Sequence, residues 1–84
     1  MTDHAIYEQL RPIFDDVFDA GDVALAAGTT ADDVDGWDSL NHVRLMLAVQ
    51  KRFNVKFAAH EIGALENVGE LVALIRRKLP QAHA

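Results

Sequence analysis

The sequence predicts an all-α fold: a small antiparallel bundle of three main helices plus one short helix, with a long loop between the first two helices. Three observations carry this. Apolar residues recur three and four apart over three separate stretches, and nothing alternates as a strand would. Helix boundaries are written at matching places, with Asp38 and Asn67 as caps and Pro80 as a stop. Half of the 84 residues are hydrophobic, enough for one modest core but not for one that also encloses a deep active site. The expected organisation is one domain over 1–84, with a core at roughly 3–79 and a flexible tail at 80–84.

The first helix begins near Thr2 or Asp3 and runs to about residue 19, with Ile6, Leu10, Ile13, Phe14, Val17 and Phe18 on its apolar face. Pro12 interrupts it on the opposite side, where a kink would bend the helix around the core. Residues 19–37 hold three glycines, two threonines and five aspartates, the composition of a loop. Val23, Leu25, Val34 and Trp37 are its expected anchors. A loop this long in so small a domain is more often functional than idle. The second helix covers about 38–53. The "NVKF" link is extended, and residues 58–65 have room only for a short third helix. The fourth begins at Asn67, which has capping-box spacing to Glu70, and its apolar face is Val68, Leu71, Val72, Ile75 and Leu79. Arg76, Arg77 and Lys78 suit the negative end of its dipole.

Charge is unevenly distributed. Residues 1–38 hold ten acidic groups against Arg11 alone, whereas residues 39–84 hold seven Lys/Arg against three Glu. The acidic half repels phosphate, which argues against nucleic acid as a partner. Lys51, Arg52, Arg76, Arg77 and Lys78 are more simply solvated helix faces than a basic patch. There is no cysteine, hence no disulfide framework and no thiolate. No apolar run approaches a membrane span, and polar residues follow Met1, so a cytoplasmic protein without membrane insertion is expected. His4, His60 and His83 are too scattered for a metal site, and His83 falls in the tail.

The second helix carries two apolar stripes. Leu45, Met46, Val49 and Phe53 share one side, and Leu40, Val43 and Leu47 lie roughly opposite. An edge helix buries one stripe, and the one ending in Phe53 is the better core face. Leu40, Val43 and Leu47 are then left exposed, rimmed by Asn41, His42, Arg44 and Lys51, as a docking surface. Ser39 stands in the first turn with Asp38 as N-cap, where free backbone N–H groups and the dipole favour a phosphate.

Other chemistries fit less well. Ser39, His42 and Asp38 are the residue types of a hydrolase triad, but His42 is one turn from Ser39 and no Gly-x-Ser-x-Gly elbow surrounds it. Asp32, Asp33, Asp35 and Asp38 lack the spacing and closing glutamate of a calcium loop. His42 is better read as a surface residue of the docking face, and Trp37 as a loop anchor.

Asp38-Ser39-Leu40 heads an apolar helix after a long acidic loop. "F-N-V-K-F", a short-helix segment and an Asn67-capped segment follow in order. Over roughly residues 5–79 this resembles the acyl carrier proteins. The resemblance implies that Ser39 receives 4′-phosphopantetheine from coenzyme A, with Asp38 the preceding residue that the phosphopantetheinyl transferase commonly requires. It implies a carrier without catalytic activity of its own. The arm's thiol would hold acyl chains as thioesters and present them to an acyl ligase, synthase or acyltransferase, which accords with the lack of cysteine. Leu40, Val43 and Leu47 match the apolar positions of the family's recognition helix.

The sequence departs from that family where fatty-acid carriers place Asp or Glu. Here stand Asn41, His42, Arg44, Gln50, Lys51 and Arg52. Reversing the charge at Arg44 penalises partners built for acidic carriers. A specialised stand-alone carrier for a fatty-acid-like or secondary lipid or polyketide pathway fits better than primary fatty-acid synthesis. An aminoacyl or peptidyl carrier and an unmodified helical interaction domain remain open alternatives. A monomer is expected.

Overall fold

The computed structural model describes residues 2–18 and 25–79, and among them every regular element is helical. Helix α1 spans Asp3–Phe18, α2 Ser39–Phe53, α3 Ala59–Gly63 and α4 Val68–Lys78. A single 3₁₀ turn, Ala31–Asp33, interrupts the loop before α2. The expected anchor Val23, the stop at Pro80 and the tail at 80–84 lie outside the described residues.

Helix α1 buries Ile6, Leu10, Ile13 and Phe14. It passes through Pro12 as one continuous element, with the proline on the exposed side. The missing N–H therefore falls on the solvent face, where a lost helical bond is least costly. Leu45, Met46, Val49 and Phe53 of α2 and Val68, Leu71, Val72, Leu74 and Ile75 of α4 complete the centre. Burying each of these large aliphatic or aromatic side chains contributes about 1.5–3 kcal/mol, which is what holds so small a bundle together. Exposed ion pairs add little. Arg76 of α4 pairs with Asp3 of α1, and Arg11 pairs with Glu8. Arg52 donates to the side-chain oxygen of Gln9 at 3.0 Å.

Helix α2 ends on Asn54, whose left-handed backbone (φ 56°, ψ 49°) sends its N–H back to the carbonyl of Gln50. The side chain of Gln50 then accepts from the N–H of Phe57 at 2.9 Å. That bond pins the extended link and seats Val55 and Phe57 in the core. At the start of α4, Asn67 accepts from the N–H of Glu70 at 2.8 Å. The reciprocal bond of Glu70 goes to the N–H of Glu66 at 2.9 Å, one residue before the cap. Helix α3 is only five residues long and cannot stand on its own propensity. Glu61 holds it by accepting from the N–H of Ala58 at 2.8 Å and pairing with Lys78 of α4 at 3.0 Å. The backbone bond first, and the lysine second, keep the Glu61 carboxyl below the ordinary glutamate range.

The loop is fastened to α4 by two backbone bonds. The N–H of Val68 donates to the carbonyl of Thr29 and the N–H of Gly69 to that of Ala27, each at 2.9 Å. These occupy donors that the first turn of a helix leaves free. The approach is so close that a Cβ on Gly69 would stand 2.9 Å from both the carbonyl oxygen and the Cβ of Ala27. Gly69→Ala gains about 1 kcal/mol of helix propensity at most, against roughly 1–3 kcal/mol for forcing the loop away. The expected net loss is up to about 2 kcal/mol in urea denaturation; a variant more stable than the parent would show that the loop yields freely.

Candidate functional site

Ser39 is the only serine of the chain. It occupies the first residue of α2, directly after the cap. Asp38 accepts from the N–H of Asn41 at 2.9 Å, so the aspartate is spent on capping. The Ser39 side chain is exposed, and no hydrogen bond engages its hydroxyl among the described residues. The site is held from the loop side as well. Gly36 turns the chain at φ +86°, a conformation that disfavours any side chain, and its carbonyl accepts from Asn41 Nδ2 at 2.7 Å.

Trp37 anchors this loop in the bundle. Its ring lies 5.5 Å from that of Phe14 in an edge-on arrangement and 5.6 Å from that of Phe18. Its indole Nε1–H donates to His42 Nδ1 at 2.9 Å. The other nitrogen, His42 Nε2, lies 3.1 Å from the carbonyl of Ile62. Since Nδ1 accepts, Nε2 carries the proton and donates to that carbonyl. One imidazole therefore joins the loop, α2 and α3. A shallow depression of about 400 Å³ lies beside this chain, lined by Ala31, Trp37, Asp38, Ser39, His42, Gly63 and Leu65.

This geometry corrects one expectation. Asn41 and His42 do not rim the exposed strip as free surface groups: both are half-buried, His42 bonded to Trp37 and Ile62 and Asn41 to the Gly36 carbonyl of the preceding turn. Nor can His42 act as a base toward Ser39 while both its nitrogens are engaged elsewhere, which removes the geometric basis of a triad. By contrast Leu40, Val43 and Leu47 stand 63, 51 and 62% exposed. Arg44 and Lys51 are exposed beside them.

Two features went unread in the sequence. The Ile62 partner of His42 has no linear signal, because α3 reaches it from 20 residues away, although His42 itself shares the helical face of Leu45, Val49 and Phe53. The 3₁₀ turn does have one: Asp33 accepts from the N–H of Thr30 at 2.9 Å, the Thr-x-x-Asp spacing of a capping box. Asp33 is thus structural, and the described residues hold no acidic or histidine cluster suited to a metal ion.

His42→Ala leaves the Trp37 indole N–H and the Ile62 carbonyl unpartnered, at a cost of about 1–2 kcal/mol for half-buried groups. The expected result is faster amide exchange confined to α3 and the Trp37 turn. Unchanged exchange there would show that Glu61 and apolar packing hold α3 alone.

An exposed serine thus stands at the positive end of a helix, beside an open depression and an exposed apolar strip. Residues 8–75 match the family model described as "phosphopantetheine attachment site", and the chain belongs to that family, whose group is 4′-phosphopantetheine, bound covalently. The fold is also similar to the solution structure of a holo acyl carrier protein from Geobacter metallireducens. That match has a TM-score of 0.78 and 41% identity, and covers 84% of this chain and 82% of the other. No curated protein matches in sequence. The residues present fit the group: a free hydroxyl, donors at a helix N-terminus, and a depression alongside. No helix among the described residues is long and apolar enough to cross a membrane.

Proposed function

We propose that this chain is an acyl carrier in which Ser39 bears the 4′-phosphopantetheine arm. The observation that carries this reading is the placement of its one serine, exposed and unbonded at the head of α2. Its Oγ would supply the oxygen of the phosphodiester, losing its proton as the pyrophosphate bond of coenzyme A breaks and adenosine 3′,5′-bisphosphate leaves. The N–H groups of the first turn and the helix dipole stabilise the negative charge there, an effect of about 0.3–1 kcal/mol at an exposed site. When bound, the group supplies a terminal thiol that holds acyl chains as thioesters. The protein contributes position. Asp38 caps α2, and Asn41 holds the Gly36 turn behind it. The Trp37–His42 pair holds one wall of the depression beside Ser39.

Leu40, Val43, Arg44, Leu47 and Lys51 form the face offered to a phosphopantetheinyl transferase and to an acyl ligase, synthase or acyltransferase. Asn41 and His42 serve that face from beneath, by fixing its first turn. The basic character of α2 favours a specialised pathway over primary fatty-acid synthesis, and the carrier acts in the cytoplasm as a monomer. The test is to incubate the apo protein with coenzyme A and a broad-specificity transferase and to take an intact mass. A gain of one phosphopantetheine, mapped by peptide mass to Ser39, is expected; no gain would overturn the proposal.

A further inference from the structure

Helix α2 contains no acidic residue, although acidic groups outnumber basic ones over the whole chain. Most of the other cations have a partner on the molecule's own surface, Lys56 being a further exposed cation that pairs with no carboxylate among the described residues. Arg11 pairs with Glu8, Arg76 with Asp3, and Arg77 and Lys78 with Glu61. Arg52 is bonded to Gln9. Arg44 and Lys51 are exposed, and among the described residues neither pairs with a carboxylate. On the helical wheel both fall on one edge of the Leu40–Val43–Leu47 strip, two turns apart, which is about 10 Å along the axis. The other end of the surface has the opposite sign, because Asp35 and Asp38 are exposed beside Ser39.

Resting on the carrier reading, we infer that the partner surface is acidic: an apolar groove for Leu40, Val43 and Leu47, with carboxylates along one side opposite Arg44 and Lys51. Charge on one edge alone fixes the direction of docking, and the acidic end at Ser39 repels the same carboxylates, so the reversed orientation is disfavoured. A partner with a basic carrier-binding surface meets Arg44 and Lys51 with like charge.

The test uses the full chain, isotope-labelled for NMR, and two synthetic amphipathic helical peptides. Both peptides carry one leucine stripe; one has glutamates two turns apart along its edge, and its twin has lysines there. The glutamate peptide is expected to shift the signals of Leu40, Val43, Arg44, Leu47 and Lys51 and to bind about tenfold tighter than its twin. That preference should fade in about 0.5 M salt and invert in the Arg44→Glu, Lys51→Glu double variant. Both substituted side chains are exposed and pair with no carboxylate among the described residues, so the variant should keep its circular dichroism and melting point. Equal affinity for the two peptides, shifts outside α2, or an unchanged preference in the folded double variant would overturn the inference. So would tighter binding to phosphatidylcholine–phosphatidylglycerol vesicles than to the glutamate peptide, since the face would then read anionic lipid. Failure of the carrier reading registers separately, as an apo chain that takes up no phosphopantetheine whatever the peptides do.

Discussion

Ser39→Ala is expected to abolish uptake of the phosphopantetheine arm and to leave the fold unchanged. The loss is complete because the substitution removes the only serine oxygen in the chain. The fold is spared for three local reasons. The side chain is exposed, no hydrogen bond engages it among the described residues, and the cap of α2 is the neighbouring Asp38. Alanine at the first helical position is a good helix former, so stability should stay within about 0.5 kcal/mol of the parent. Intact mass after incubation with coenzyme A and transferase reads the first effect, and a denaturant titration reads the second. An adduct that persists in the variant would place the attachment on another hydroxyl and sink the assignment. Asp38→Ala is the informative companion. It removes the cap bond to Asn41, costs about 1 kcal/mol, and should slow loading without abolishing it.

The second large effect lies in the core. Phe14→Ala should cost about 3–5 kcal/mol, a large share of the roughly 5–15 kcal/mol that holds a small domain folded. Phe14 is 2% exposed and its ring takes the edge contact with Trp37. The cavity therefore opens on the side of the bundle that anchors the loop ahead of Ser39. Thermal unfolding followed by circular dichroism should show a fall in Tm of more than about 12 °C. The matched control is Leu47→Ala, which removes a side chain 62% exposed and should stay within about 0.5 kcal/mol of the parent. A Phe14 variant losing less than about 1 kcal/mol would mean that the surrounding side chains collapse into the gap.

Much of this molecule is legible in its sequence because its decisive signals are local. The two stripes of α2 follow from helical period alone, and the structure buries one and exposes the other. Asp38 and Asn67 cap the helices they precede. What resists reading depends on distant neighbours. The surroundings of His42 are set by the Ile62 carbonyl, which only the packing of α3 brings near. The direction of His42 is nonetheless written in the helical period, because it stands three, seven and eleven residues before Leu45, Val49 and Phe53 on the buried stripe; Asn41 is held by the Gly36 carbonyl of the turn behind it, a bond the period does not announce. The tight seating of the loop on Gly69 is equally invisible, since nothing in a lone glycine says which backbone will approach it.

The chain has one tryptophan, and its position makes the protein its own spectroscopic probe. Trp37 touches the core through Phe14, shares a hydrogen bond with α2 through His42, and lines the depression beside Ser39. Its emission therefore comes from a single environment, two residues from the exposed serine. Attachment of a group there, or loosening of the loop, is expected to change the polarity around that one indole. Such events can be followed in real time on the unlabelled protein by tryptophan fluorescence, without the bulk of an added dye.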